Sequence, residues 1–168
     1  GVAVIENHYV KDMIDYVQFD AVYHEHLCYY SVTSFCNLFA QYGLVLVDVE
    51  RLSVHGGSLR VYFQPINGPR SLEQAGRERV DAILKEEADW GVDQFSFYRG
   101  FGEKVERLRV ELLTLLRKIK SERKQIAVYG ASAKGTTLLN YYNIGMETLD
   151  YVVDRSTFKQ GHYTPGKH

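Results

Sequence analysis

Cysteine is scarce in this 168-residue chain, which carries only Cys28 and Cys36. A lone pair at that spacing, in an apolar and aromatic stretch, reads as reduced core thiol rather than disulfide or metal site, which points to the cytoplasm. Basic excess is also missing. The formal net charge is -1 and no long basic run occurs, which argues against a nucleic-acid surface driven by phosphate contacts. No apolar stretch approaches the length of a membrane span, and no signal peptide precedes the first strand, so nothing indicates a membrane partner. Internal repeats and low-complexity segments are absent too. The length leaves room for one ordinary domain or for pieces of two.

What the chain does have is tyrosine, 13 copies of it. That supplies apolar bulk with hydroxyl ends, and suits a polar small-molecule site as well as ordinary core packing. The most informative cluster is Tyr23-His24-Glu25-His26. Such groups are costly to bury without a task, because each needs a partner. A solvated loop is the plain alternative. Zinc is disfavoured: His24 and His26 are two apart, which on a strand puts them on opposite faces, and no further Cys or His pattern follows. Acid–base chemistry remains, since imidazole changes charge near neutral pH and a neighbouring carboxylate can orient it.

The first sixty-odd residues read as the tail of an α/β domain. Gly1-Val2-Ala3-Val4-Ile5 has the composition of a buried strand. Ser31 can cap a helix running to about Tyr42 with Phe35, Leu38 and Phe39 on one face, and Gly43 can end it. Strands follow at Leu44 to Val49 and at Ser58 to Phe63, with His55-Gly56-Gly57 in the turn between them. Residues 64–70 form a linker. Ser71 with Gln74 resembles a capping box for a helix to about Ala88, Trp90 to Ser96 is a break, and a long amphipathic helix starts at Phe101. Its apolar stripe is Val105, Leu108, Leu112, Leu115 and Ile119; a heptad coiled coil is the alternative.

The last portion is a βαβ pattern. Gln125 to Tyr129 is a strand, Gly130-Ala131-Ser132-Ala133-Lys134-Gly135 a turn into a helix, and Leu149 to Val153 a second strand ending at Asp154-Arg155. The glycine turn and helix N-terminus offer amide N–H groups to an anion, and Lys134 adds a positive charge. The spacing is neither the dinucleotide fingerprint nor a P-loop, and a purely structural turn would use similar residues.

Taken together, these segments resemble the S-adenosylmethionine-dependent sugar C-methyltransferases of deoxysugar pathways. The resemblance is carried by Phe19-Asp20-Ala21-Val22-Tyr23-His24-Glu25-His26-Leu27, Asp48-Val49-Glu50-Arg51 and His55-Gly56-Gly57-Ser58-Leu59-Arg60-Val61. It continues through Tyr129-Gly130-Ala131-Ser132-Ala133-Lys134-Gly135-Thr136-Thr137 and Val152-Val153-Asp154-Arg155-Ser156, then from Lys159 to Gly166. It implies an α/β chain in three parts. Residues 1–66 would be the C-terminal part of a class I, Rossmann-like methyltransferase domain, 67–122 a helical connector, and 123–168 the start of a nucleotide-sugar-binding α/β domain with a second Rossmann-like βαβ unit. Neither the acidic-Gly-x-Gly turn that would hold the methyl donor nor a zinc-type cysteine cluster occurs in it. The resemblance therefore implies a fragment, inactive alone, of an enzyme that methylates a ring carbon next to the ketone of a nucleotide-linked 4-keto sugar. His26 is expected as the base, positioned by Glu25, with Tyr23 donating to the substrate or the developing oxyanion. His24, His55, Gly130 and Lys134 are expected on the substrate side. Two other classes remain open: a non-catalytic nucleotide-binding or oligomerisation module, and a nicotinamide-dependent oxidoreductase in which Asp154 would meet a ribose.

Overall fold

The computed structural model describes residues 1–68 and 74–167. Ser71 of the expected capping box, and residues 69 and 70 of the expected linker, lie outside the described residues. The chain divides into two compact units, Gly1–Gln18 with Cys28–Phe101 and Phe19–Leu27 with Gly102–His168.

In the first unit, β1 (Ala3–His8), β2 (Leu44–Leu52) and β3 (Ser58–Pro65) form one sheet in the order β1-β3-β2. The central β3 is antiparallel to both neighbours. Residue alternation then decides the two faces. Leu59, Val61 and Phe63 point into a core with Val49, Val32, Phe35 and Val80, supplied by β2, α2 (Val32–Ala40) and α3 (Gln74–Trp90). Between them on the opposite face, Arg60 bridges Glu6 and Glu50 across all three strands, and the Tyr62 hydroxyl donates to Glu50. The buried strand expected at the start of the chain is corrected here. β1 is an edge strand, and Val2 and Val4 are 52% and 55% exposed, because only one face of this antiparallel sheet is covered. Cys28 is likewise exposed rather than core; Cys36 is half-buried against the core, and burial pushes its thiol up. The break expected from Trp90 shrinks, since α3 includes Trp90 and α4 (Phe95–Arg99) begins at Phe95.

The deepest polar group of this unit is Glu87, 0% exposed on α3. The first turn of any helix leaves amides without partners inside the helix. Ser31 caps α2 as expected, its side chain accepting from Ser34 N while Ser34 Oγ takes the Ser31 amide. The amides of Val32 and Thr33 instead donate to the two Glu87 oxygens at 2.7 and 2.8 Å, and the Thr33 hydroxyl adds a third bond at 2.6 Å. Tyr9, 1% exposed, is held protonated by burial and by this carboxylate, its phenol pushed well above the usual value.

The second unit contains α5 (Phe101–Ser121, from its second residue), β4 (Ala127–Tyr129), α6 (Ala133–Tyr142) and β5 (Tyr151–Val153). β4 and β5 are parallel with α6 between them, the expected βαβ unit. Its core is Tyr142, Ile144 and Leu139; the Tyr142 hydroxyl donates to the Val105 carbonyl of α5 at 3.1 Å. Phe19 packs on the Tyr142 ring at 4.8 Å, which seats a short 3-10 turn, Phe19–Ala21, on α6. The α5 stripe is only partly used: Val105 is buried and Leu112 and Ile119 half-buried, whereas Leu108 and Leu115 stay 38% and 52% exposed.

Glu87→Ala removes three hydrogen bonds at once and leaves two amides at the start of α2 without their acceptor. We expect a loss of about 2–4 kcal/mol, read by urea unfolding, because each unsatisfied buried donor costs roughly 1–3 kcal/mol. Stability within 0.5 kcal/mol of the parent chain, roughly a surface substitution's effect, would contradict this account.

Candidate functional site

The 3-10 turn carries the Tyr23 to His26 segment into the second unit. Tyr23 and His24 line a cavity of about 1080 Å³ together with Ala131, Ser132 and Ala133 at the start of α6 and Asp154 after β5. Residues 158–165 complete the wall, among them Phe158 and Tyr163, which are 92% and 82% exposed. The acid–base segment and the strand–helix turn, far apart in sequence, thus share one cavity.

His26 is half-buried, its Nδ1 2.9 Å from the Ala21 carbonyl and its ring 4.4 Å from that of Tyr23. A carbonyl oxygen only accepts, so Nδ1 is the donor in this contact. Backbone thus holds the ring at Nδ1. Glu25 and His24 are exposed, and of the two histidines it is His24 that borders the cavity.

Asp154 fixes the turn that forms the opposite wall. Its two oxygens accept from the amides of Ser156 and Ala131, each at 2.8 Å, and Lys159 reaches both Asp154 and the Ala131 carbonyl. Gly130, at φ +100, gives its amide to Val153, and Ser132 caps α6 by accepting from Gly135. The amides of Ala131 and Gly135 are thus used internally, which narrows the anion-binding donors expected of this turn. Lys134 is half-buried in the first turn of α6. Gly130 and Lys134 flank Ala131, Ser132 and Ala133, the residues that reach the cavity.

His55 belongs to the first unit and the other candidates to the second. It stands at φ 55, followed by Gly56 and Gly57 at +90 and +130, so three successive residues occupy backbone that favours glycine. A Cβ on Gly57 would meet the Asp12 carboxylate, and the Gln18 amide donates to the Gly56 carbonyl at 2.7 Å. The His8 ring lies 6.0 Å from that of His55. Among the described residues no group of three or more His, Cys, Asp or Glu converges as metal ligands, and no helix is long and apolar enough to cross a membrane.

A family model described as the C-methyltransferase C-terminal domain matches residues 53–168, more than two thirds of the chain. The chain belongs to this family. It is also 34% identical over 166 residues to C-methyltransferase NovU of Streptomyces niveus, a match covering 99% of this chain and 39% of that protein. The chain thus spans about two fifths of the length of this curated relative. The family match begins just before β3 and takes in the turn, α6 and the residues after β5; the similarity to NovU extends over nearly all of the chain and so reaches the Tyr23 to His26 segment.

Sequence reasoning weighed Asp154 only as a ribose ligand, and passed over Phe158 and Tyr163. The strand-end position of Asp154 was visible; its use as a clamp was not, because the partner amide of Ala131 lies 23 residues away. The amides of Ser156 and Ala131 hold the Asp154 carboxyl below its usual range. A depressed folded pKa contributes stability that is complete above the unfolded value, about 3.9, and is lost as pH falls through the folded pKa. Asp154→Asn should therefore lower the stability of the parent chain at pH 7 and flatten its loss of stability below about pH 4. Parallel acid-unfolding curves for the two proteins would contradict the clamp.

Proposed function

We propose that the chain is part of a cytoplasmic enzyme that methylates the ring carbon next to the ketone of a nucleotide-linked 4-keto sugar, with S-adenosylmethionine as methyl donor. Family membership supports methyl transfer to carbon. The observation that carries the substrate reading is the single cavity bordered by Tyr23 and His24 on one side and by the β4–α6 turn on the other. The turn, with Gly130 and Lys134, takes the diphosphate, and the sugar extends toward the tyrosine and histidines. Residues 1–66 are read as the end of the methyltransferase domain and 123–168 as the start of the nucleotide-sugar domain.

The chemistry follows from the residues. A carbon beside a ketone becomes nucleophilic once its proton leaves. In its neutral form, with the hydrogen on Nδ1 directed at Ala21, His26 takes that proton at Nε2 as the C–H bond breaks, and the electron pair moves into the enolate. The Tyr23 hydroxyl donates to the enolate oxygen. When bound, S-adenosylmethionine would supply the methyl group to the enolate carbon, and His26 returns its proton to solvent. The residues of this chain do not fit the donor itself, since no acidic-Gly-x-Gly turn follows a strand.

The exposure of His24 to the cavity favours one competing assignment, with His24 as the base. Exchange of the substrate α-proton in deuterated water separates the two, because it reports proton removal without methyl transfer. In the full-length enzyme, His26→Ala should slow exchange by about two to four orders of magnitude, the usual cost of a lost general base, and His24→Ala by less than about tenfold. The reverse order would give the role to His24. Near-normal exchange in both variants would remove the histidines from this step.

Both Asp154 oxygens accept amide hydrogens from within the unit, so this carboxylate serves the turn as a clamp while it borders the cavity.

A further inference from the structure

A second cavity, of about 450 Å³, lies at the other end of α6, between its C-terminus and α5. Arg109, Arg117 and Lys120 all line it, with Arg109 and Arg117 two turns apart on the same side of α5 and Lys120 one turn further. We propose that this cavity binds a phosphoanion of about the size of diphosphate, held by the guanidinium groups of Arg109 and Arg117.

Three observations converge on it. Arg117 makes no hydrogen bond or ion pair among the described residues, so its whole fork is available. Arg109 pairs through Nη1 with Glu106 at 2.7 Å, yet its Nε is buried and meets no acceptor. A buried donor without an acceptor is uncommon in native proteins and calls for an explanation, of which an ion is one. Two arginines one face apart supply paired planar donors matched to phosphate oxygens.

The plainer explanation is that the arginines serve the carbonyls ending α6. Those of Leu139 and Asn140 already accept from the amides of Ile144 and Asn143, however, with Asn143 in the left-handed conformation that closes helices. Glu147 is the one carboxylate in the wall. Its Oε1 is turned to the Gly145 amide at 2.9 Å, which holds it ionised, and to the Thr148 hydroxyl. Lys120 contributes charge while remaining paired with Asp150 at 3.0 Å.

This site is separate from the one at the β4–α6 turn. The ten residues of α6 put its two ends about 15 Å apart. Inorganic diphosphate, and separately a nucleoside diphosphate, titrated into the chain at fixed ionic strength test it, with heats of binding and arginine side-chain NMR as readouts. We expect inorganic diphosphate to shift the Arg109 and Arg117 Nε resonances. Arg117→Gln, which removes no internal contact, should weaken binding about tenfold or more. Lys134→Ala should leave this binding unchanged. Equal affinity for the two ligands identifies a free phosphoanion as the occupant; tighter nucleoside diphosphate binding that Arg117→Gln still weakens identifies a nucleotide. No arginine shift at millimolar diphosphate, a response that chloride reproduces, or binding lost in Lys134→Ala but kept in Arg117→Gln would overturn the proposal. Because Lys134→Ala reports on the β4–α6 turn alone, failure here stays distinct from failure of the substrate reading.

Discussion

The buried carboxylate of Glu87 is the constraint around which the first unit is arranged. A charge without water is tolerated only when its lone pairs are taken. Glu87 meets that condition by accepting the two amides and the hydroxyl that α2 leaves open at its start. The same bonds fix where α3 crosses α2. That placement sets Val80 and Phe35 over the inner face of β2 and β3, and brings α3 onto β2, where Gly76 leaves no room for a Cβ against the Val47 carbonyl. Arg79 then reaches Asp48 with two hydrogen bonds and holds that carboxyl below its usual range.

The second unit uses the same device on a smaller scale. Asp154 joins the end of β5 to the turn after β4, and Asp150 joins the start of β5 to the start of β4 through the Ile126 amide. Two strands of three residues each are a weak sheet, so carboxylate-to-amide bonds at both ends stabilise their parallel register. One wall of the larger cavity is thereby fixed. The other depends on the Phe19 ring against Tyr142, which brings Tyr23 and His24 to the same space.

Much of this was legible in local pattern. The Ser31 cap, the helix from Phe101, the alternation of β3 and the strand–turn–helix at 127–142 each come from residues close in sequence, and each formed where the pattern put it. The motif resemblance to C-methyltransferases was legible for a similar reason, since several short segments recur in one order. Contacts distant in sequence were not. Nothing in α3 marks Glu87 as the residue that caps α2, 55 positions earlier. Nothing near Phe19 says that residues 19–27 leave the first unit to join the second. The exposed faces of β1 escaped notice because a strand of Val, Ala and Ile reads as buried until its neighbours are known. At the site, His26 was singled out by its chemistry, whereas the carbonyl of Ala21 that sets its tautomer carries no side-chain signal.

The central claim is that the Tyr23 to His26 segment and the β4–α6 turn form the two walls of one ligand site. Hydrogen exchange measured with and without a nucleoside diphosphate tests it directly, because amides in both walls report separately. The account predicts that the nucleotide slows exchange together in residues 19–27, 130–136 and 151–165. Slowing in the turn alone, with 19–27 unchanged at saturating nucleotide, or no change in either wall, would contradict it.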